Sequence, residues 1–188
     1  MEDGVITVPG GLVHHWRGVM MVSGASLAKA ITLSQAYDDY DEIYQTVVSS
    51  TLLEQRGDMT RASLRLRSGE GGITAVVQVW ATIRHFTAAD GSVYSVSRSD
   101  EIREVADAGR RSERLLPPGR DSGYLWRAHT FSWLVPRAQG LYMEIETLGL
   151  SRRFPPMLGW LIEPIARRLG RKSTEGSLRD FAAALSRN

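Results

Sequence analysis

The chain has 188 residues, 43% of them hydrophobic, and a formal net charge of +2, which fits one soluble globular domain able to bury roughly 70% of its unfolded surface. It contains no cysteine, which excludes disulfides, thiolate catalysis and zinc–thiolate sites, and no apolar run approaches the roughly 20 residues of a membrane helix. Met1-Glu2-Asp3-Gly4 lacks the basic-then-apolar pattern of a signal peptide; a leader removed beforehand is compatible with that, so cytoplasmic and exported settings both stay open.

In chain order, residues 1–10 read as an N-terminal extension and 11–188 as one domain. Residues 11–22 form a first strand, and Ser26 is placed to cap a helix from Leu27 to about Ala36. Asp38 or Asp39 is placed to cap a second, short helix through Ile43 and Tyr44. The four carboxylates Asp38, Asp39, Asp41 and Glu42 suit helix N-termini through capping and the macrodipole, without catalysis. Strands follow at 47–55, 59–67, 73–86 and 92–105, divided by the turns Arg56-Gly57-Asp58, Ser68-Gly69-Glu70-Gly71-Gly72 and Ala89-Asp90-Gly91. In the 59–67 strand Ala62, Leu64 and Leu66 alternate with Arg61, Arg65 and Arg67, so one face is buried and one is wet. A polar loop covers 106–122, and strands at 124–135 and 141–150 deliver the chain to a late helix.

That helix begins at Pro155, breaks at Gly170 and resumes from Leu178 to Leu185. Leu158, Leu161, Ile162, Ile165 and Leu169 share one face, and Leu178, Phe181, Ala182 and Leu185 repeat the spacing. Pro164 removes a helical bond and crowds the Trp160 carbonyl, which predicts a kink between them. The pattern is an α+β one. About seven antiparallel strands need an apolar cover on one face, and the late helix is the only sizeable candidate.

This order, with Ala36-Tyr37-Asp38-Asp39-Tyr40-Asp41-Glu42-Ile43-Tyr44 before Val47–Leu53, resembles the helix-grip fold of the START and pollen-allergen-like (SRPBCC) superfamily, in its polyketide-cyclase and coenzyme-Q-binding branch. Gly11–Trp16, Leu64–Arg67, Leu116–Gly119, Gly123–Arg127 and Leu158–Ile162 are similar to segments of uncharacterised bacterial START-like proteins. The resemblance implies a curved sheet around a C-terminal helix and a hydrophobic cavity between them. It implies no particular reaction, since one fold hosts many functions.

On that reading Leu64, Leu66, Val79, Ile83, Trp126, Met143, Ile145, Trp160, Leu161 and Ile165 line a cavity for a lipid, quinone or polyketide-like molecule. Arg127 lies one strand before Glu144 and Glu146, and these three are candidate polar anchors; the competing reading is a cross-strand pair on the wet face. A cyclase or aromatase working through those groups, and a ligand-free protein-interaction module, are the alternatives. Neighbouring His14 and His15 point to opposite faces of a strand, so they cannot share a metal. No nucleophile motif, metal or cofactor is expected. The basic residues between Arg152 and Arg187 suit peripheral contact with an anionic membrane, or simply the wet face of a helix. No aromatic residues interleave with them for stacking bases, so nucleic acid is not expected as a partner.

Overall fold

A computed structural model describes residues 1–70, 73–123, 125–152 and 156–187; of residues 70, 73, 156–167 and 169 it describes the backbone element and not the side chain. All seven expected strands are present: β2 (Gly11–Ser23), β3 (Val47–Arg56), β4 (Met59–Glu70), β5 (Ile73–Thr87), β6 (Val93–Ala106), β8 (Arg127–Arg137) and β9 (Gly140–Arg152). Two more were not expected. β1 (Glu2–Val8) turns the N-terminal extension into an edge strand on β2, and β7 (Arg114–Leu115) adds two residues of the polar loop to β6. The sheet order is β1-β2-β9-β8-β6-β5-β4-β3 with every neighbouring pair antiparallel, so the first long strand lies beside the last and the sheet stays open between β1 and β3.

The helices α1 (Leu27–Gln35), α2 (Tyr40–Ile43) and α3 (Pro156–Ser186) accompany one sheet. Ser26 caps α1 as expected, its side chain accepting from the Lys29 N–H. The acidic cluster works differently from the expected cap. Tyr37–Asp39 is a 3-10 turn, and Asp38 Oδ1 accepts from the Leu52 N–H of β3 at 2.7 Å, tying the turn to the sheet instead of capping α2.

The expected break at Gly170 is overturned: α3 runs through it without interruption. Gly170 is there for space. A Cβ at this position would overlap the indole of Trp16 on β2, and that indole also lies 3.2 Å from where a Cβ of Gly149 on β9 would stand. Gly18 on β2 admits the next turns of α3 in the same way, with Leu178 and Thr174 at 2.8 and 3.2 Å from its missing Cβ. Helix and sheet approach closely because glycine lacks a side chain at both contacts. The kink expected between Trp160 and Pro164 lies outside the described side chains.

The C-terminal half of α3 supplies Leu178, Phe181, Ala184 and Leu185 to a core with Leu141 and Met143 of β9, Leu134 of β8, Val93 of β6 and Ala30 of α1. A separate cluster forms where Tyr37 covers Ala62 of β4 and Val77, Val79, Ala81 and Ile83 of β5. Among the described residues no helix is long and apolar enough to cross a membrane.

Candidate functional site

Side chains directly opposite in neighbouring strands share a face, and alternate residues along a strand return to it. Val93, Leu134 and Met143 are aligned across β6, β8 and β9 and lie in the core with α3, so their face is the helix-facing, concave one. Two residues further along β6 and β8 the same face turns polar, while β9 places Ile145 there and turns polar at Thr147. Ser95 and Ser132 are opposite each other with their hydroxyls 2.7 Å apart, and Thr130 and Thr147 follow at 3.3 Å. Ser97 stands opposite Thr130. A floor of half-buried hydroxyls therefore separates the two apolar clusters.

Two histidines border this floor. His14, on β2 opposite Gly149, is buried and makes a 2.8 Å hydrogen bond with the Ser151 hydroxyl, while its ring stacks on Trp16 at 5.3 Å. His85, on β5 opposite Ser95, bonds through Nε2 to the hydroxyl of buried Tyr37 at 2.7 Å. Burial pushes the Tyr37 phenol up and holds the His85 imidazole below its ordinary range, so both are neutral near pH 7. Buried Glu104, towards the end of β6, accepts the Ser122 N–H at 2.9 Å. None of these three was singled out as a site residue from the sequence. Strand parity offered the signal for His14 and His85, since His14 shares a face with Leu12 and Trp16, and His85 with Ile83.

Neutral His85 has a consequence for stability. Its folded pKa lies below the unfolded value of about 6.5, so its contribution is complete above pH 6.5 and is lost as the pH falls through the folded pKa. The urea midpoint is expected to drop between pH 7 and 5. His85→Gln, which retains a hydrogen-bonding group for Tyr37, is expected to flatten that drop; an unchanged pH profile in the variant would contradict the assignment.

The residues proposed from the sequence distribute as follows. Leu64, Leu66, Val79 and Ile83 lie in the cluster beneath Tyr37, and Met143 and Ile145 lie in or against the α3 core, so they form two walls of the concave face. Trp126 is elsewhere. Its indole lies beneath the Arg152 guanidinium, 5.5 Å from the ring centroid, and its Nε1–H donates to Asp121 at 3.3 Å. The side chains of Trp160, Leu161 and Ile165 lie outside the described residues.

The expected arginine–glutamate anchor is corrected. Glu144 and Glu146 alternate with the core-facing Met143 and Ile145, so they occupy the convex face. There Glu144 pairs with Arg17 at 2.6 Å and accepts from Tyr142 at 2.7 Å, while Glu146 pairs with His15 at 2.7 Å. The hydrogen bond from Arg17 holds the Glu144 carboxyl below the usual carboxylate range. Arg127 reaches neither; it donates to the Asp100 carbonyl at 2.8 Å. No group of three or more metal-ligating side chains occurs among the described residues. In the basic C-terminal segment, Arg168, Arg171, Lys172 and Arg179 are exposed, and Arg171 pairs with Glu175 one helical turn on.

No protein-family model matches the sequence, and no curated protein does. Solved structures do match the fold. A STAR-related lipid transfer protein fragment from Xanthomonas axonopodis superposes with a TM-score of 0.65 at 15% identity, covering 98% of this chain and 99% of that one. The protein has the START-like helix-grip fold. Human STARD10 matches with a TM-score of 0.56 at 8% identity over 97% of this chain and 72% of that one. The Zhui aromatase/cyclase from a Streptomyces species matches at 0.53 and 12% identity over 92% and 91%. At these identities the START-like proteins share an architecture with this chain, and function has to be argued from its own residues.

Proposed function

We propose that this START-like protein binds a hydrophobic small molecule, of lipid, quinone or polyketide-like character, between the concave face and α3, and that it acts as a carrier. The observation that carries the reading is the division of that face. Leu64, Leu66 and Val79 form one apolar wall and Met143 and Ile145 the other, with the Ser97–Thr130–Thr147 hydroxyls between them. Such a lining suits a mainly apolar molecule bearing a few oxygen groups, since pockets bind through apolar burial and orient through a few polar contacts. The shared fold of a lipid transfer protein supports the same reading. Native mass spectrometry followed by organic extraction is expected to release a co-purifying apolar molecule. Leu66→Trp, which projects an indole from the wall, is expected to lower affinity for that molecule by about tenfold, or about 1.4 kcal/mol. Protein that is empty after purification, and that binds neither a fluorescent fatty acid nor a quinone, would sink the proposal.

A second reading draws on the neutral Tyr37–His85 pair beside the floor and on the fold shared with the Zhui aromatase/cyclase. A neutral imidazole accepts a proton, and a phenol returns one. Turnover of a poly-ketone substrate that disappears in His85→Gln, with binding retained, would favour the enzyme over the carrier.

A further inference from the structure

We propose that a cleft on the sheet between β6 and β8 is an anion-binding site for a carboxylate or phosphate group, separate from the concave ligand space. The two strands pair only from Val93↔Leu134 to Arg98↔His129. Beyond that point β6 stays paired with β5 and then meets β7 at Val105 and Ala106, while β8 stays with β9. Asp100 is the extra residue of a bulge: Ser99 pairs with Ala81 and Glu101 with Trp80. Bulges re-aim side chains and end strand pairing. Side-chain bonds take over from the ladder here, with Ala128 N–H donating to Ser99 Oγ at 2.9 Å and Arg127 to the Asp100 carbonyl at 2.8 Å. The split leaves a cleft of about 410 Å³ lined by Arg98, Ser99, Asp100, Arg127 and His129.

Its charge is unbalanced. Two guanidiniums and an imidazole face a single carboxylate, that of Asp100. Arg98 approaches Asp100 Oδ1 only at 3.4 Å, and Oδ2 already accepts from Thr82 at 2.7 Å. Arg127 donates to the Asp100 carbonyl, and among the described residues its guanidinium pairs with no carboxylate. A guanidinium carries five donors in a planar fork that matches carboxylate and phosphate oxygens. An arginine anchored by one bond, beside a second arginine and an imidazole, is prepared for an oxyanion.

The test uses the full chain and inorganic phosphate as the probe. Backbone amides of residues 98–100 and 127–129 are expected to shift saturably in a heteronuclear NMR titration. Arg127→Gln and Arg98→Gln are each expected to weaken binding about tenfold, a usual loss for one charge-assisted contact. Arg84→Gln, an exposed arginine outside the cleft that pairs with Asp58, is expected to leave it unchanged. Two exposed cleft variants guard against one misfolding. Phosphatidic acid vesicles then separate the sources: co-sedimentation lost in Arg127→Gln assigns a lipid headgroup, and phosphate saturation without co-sedimentation assigns a soluble ester. Absence of a saturating shift at these amides in the unmutated protein, or an affinity in both cleft variants equal to that of the unmutated protein, would overturn the site.

Discussion

Gly170→Ala is expected to destabilise the protein by about 2 kcal/mol, while Gly176→Ala in the same helix stabilises it by about 1 kcal/mol. Helix propensity favours alanine over glycine at both positions by about 1 kcal/mol, so propensity alone predicts equal gains. Packing separates them. A Cβ at Gly176 meets nothing within 4 Å, whereas one at Gly170 enters the space of the Trp16 ring. That ring is rigid and is held on its other side by β9 at Gly149, so the helix itself has to move. Overpacking of this kind costs about 1–3 kcal/mol. The companion experiment is a double-mutant cycle. Trp16→Ala alone leaves a cavity and is expected to cost about 3 kcal/mol. Once the ring is gone, Gly170→Ala should become neutral or favourable, giving a coupling of about 2 kcal/mol. Urea unfolding of the four proteins measures it. Equal signs for the two glycine substitutions would show that α3 does not lie against β2 as described.

The largest single loss is expected for Phe181→Ala, at about 4 kcal/mol. Phe181 is 5% exposed, and its ring stacks on Tyr44 at 6.3 Å, joining α3 to the turn after α2. It shares its core with Leu141 and Met143, both almost fully buried. Truncation removes the phenyl group and leaves a cavity bounded by a sheet that cannot collapse into it, which places the cost near the upper part of the range for such changes. Leu53→Ala on edge strand β3 is the matching control: Leu53 is 48% exposed, and its loss should stay within about 0.5 kcal/mol. A loss below about 1 kcal/mol for Phe181→Ala would mean that the end of α3 is not part of the cooperative core.

Much of the architecture is legible in the sequence. Leu64 and Leu66 alternating with Arg65 and Arg67 established which face of β4 is wet, because the side-chain period of a strand is fixed by its pleat. The glycine-rich turns set the antiparallel order from β3 to β6 for the same local reason. Ser26 marked the start of α1 because a capping hydroxyl acts on its own helix. The misreadings share a different origin. Gly170 reads as a helix break, and residues 1–10 as an extension, because a glycine facing Trp16 and a strand pairing with β2 involve partners far away in the chain.

The same division runs through the site. The sequence determined by itself that Met143 and Ile145 share one face of β9 and that Glu144 and Glu146 share the other, since alternation is local. Which of those faces meets the helix was decided only when β9 was inserted between β2 and β8 and α3 crossed the sheet. That placement turned the two glutamates towards Arg17 and His15, and it brought hydroxyls from three separate strands into one floor. Local sterics and periodicity are written in neighbouring residues. Strand order and helix docking follow from burying the most apolar surface over the whole chain, and only the folded structure shows how that sum resolves.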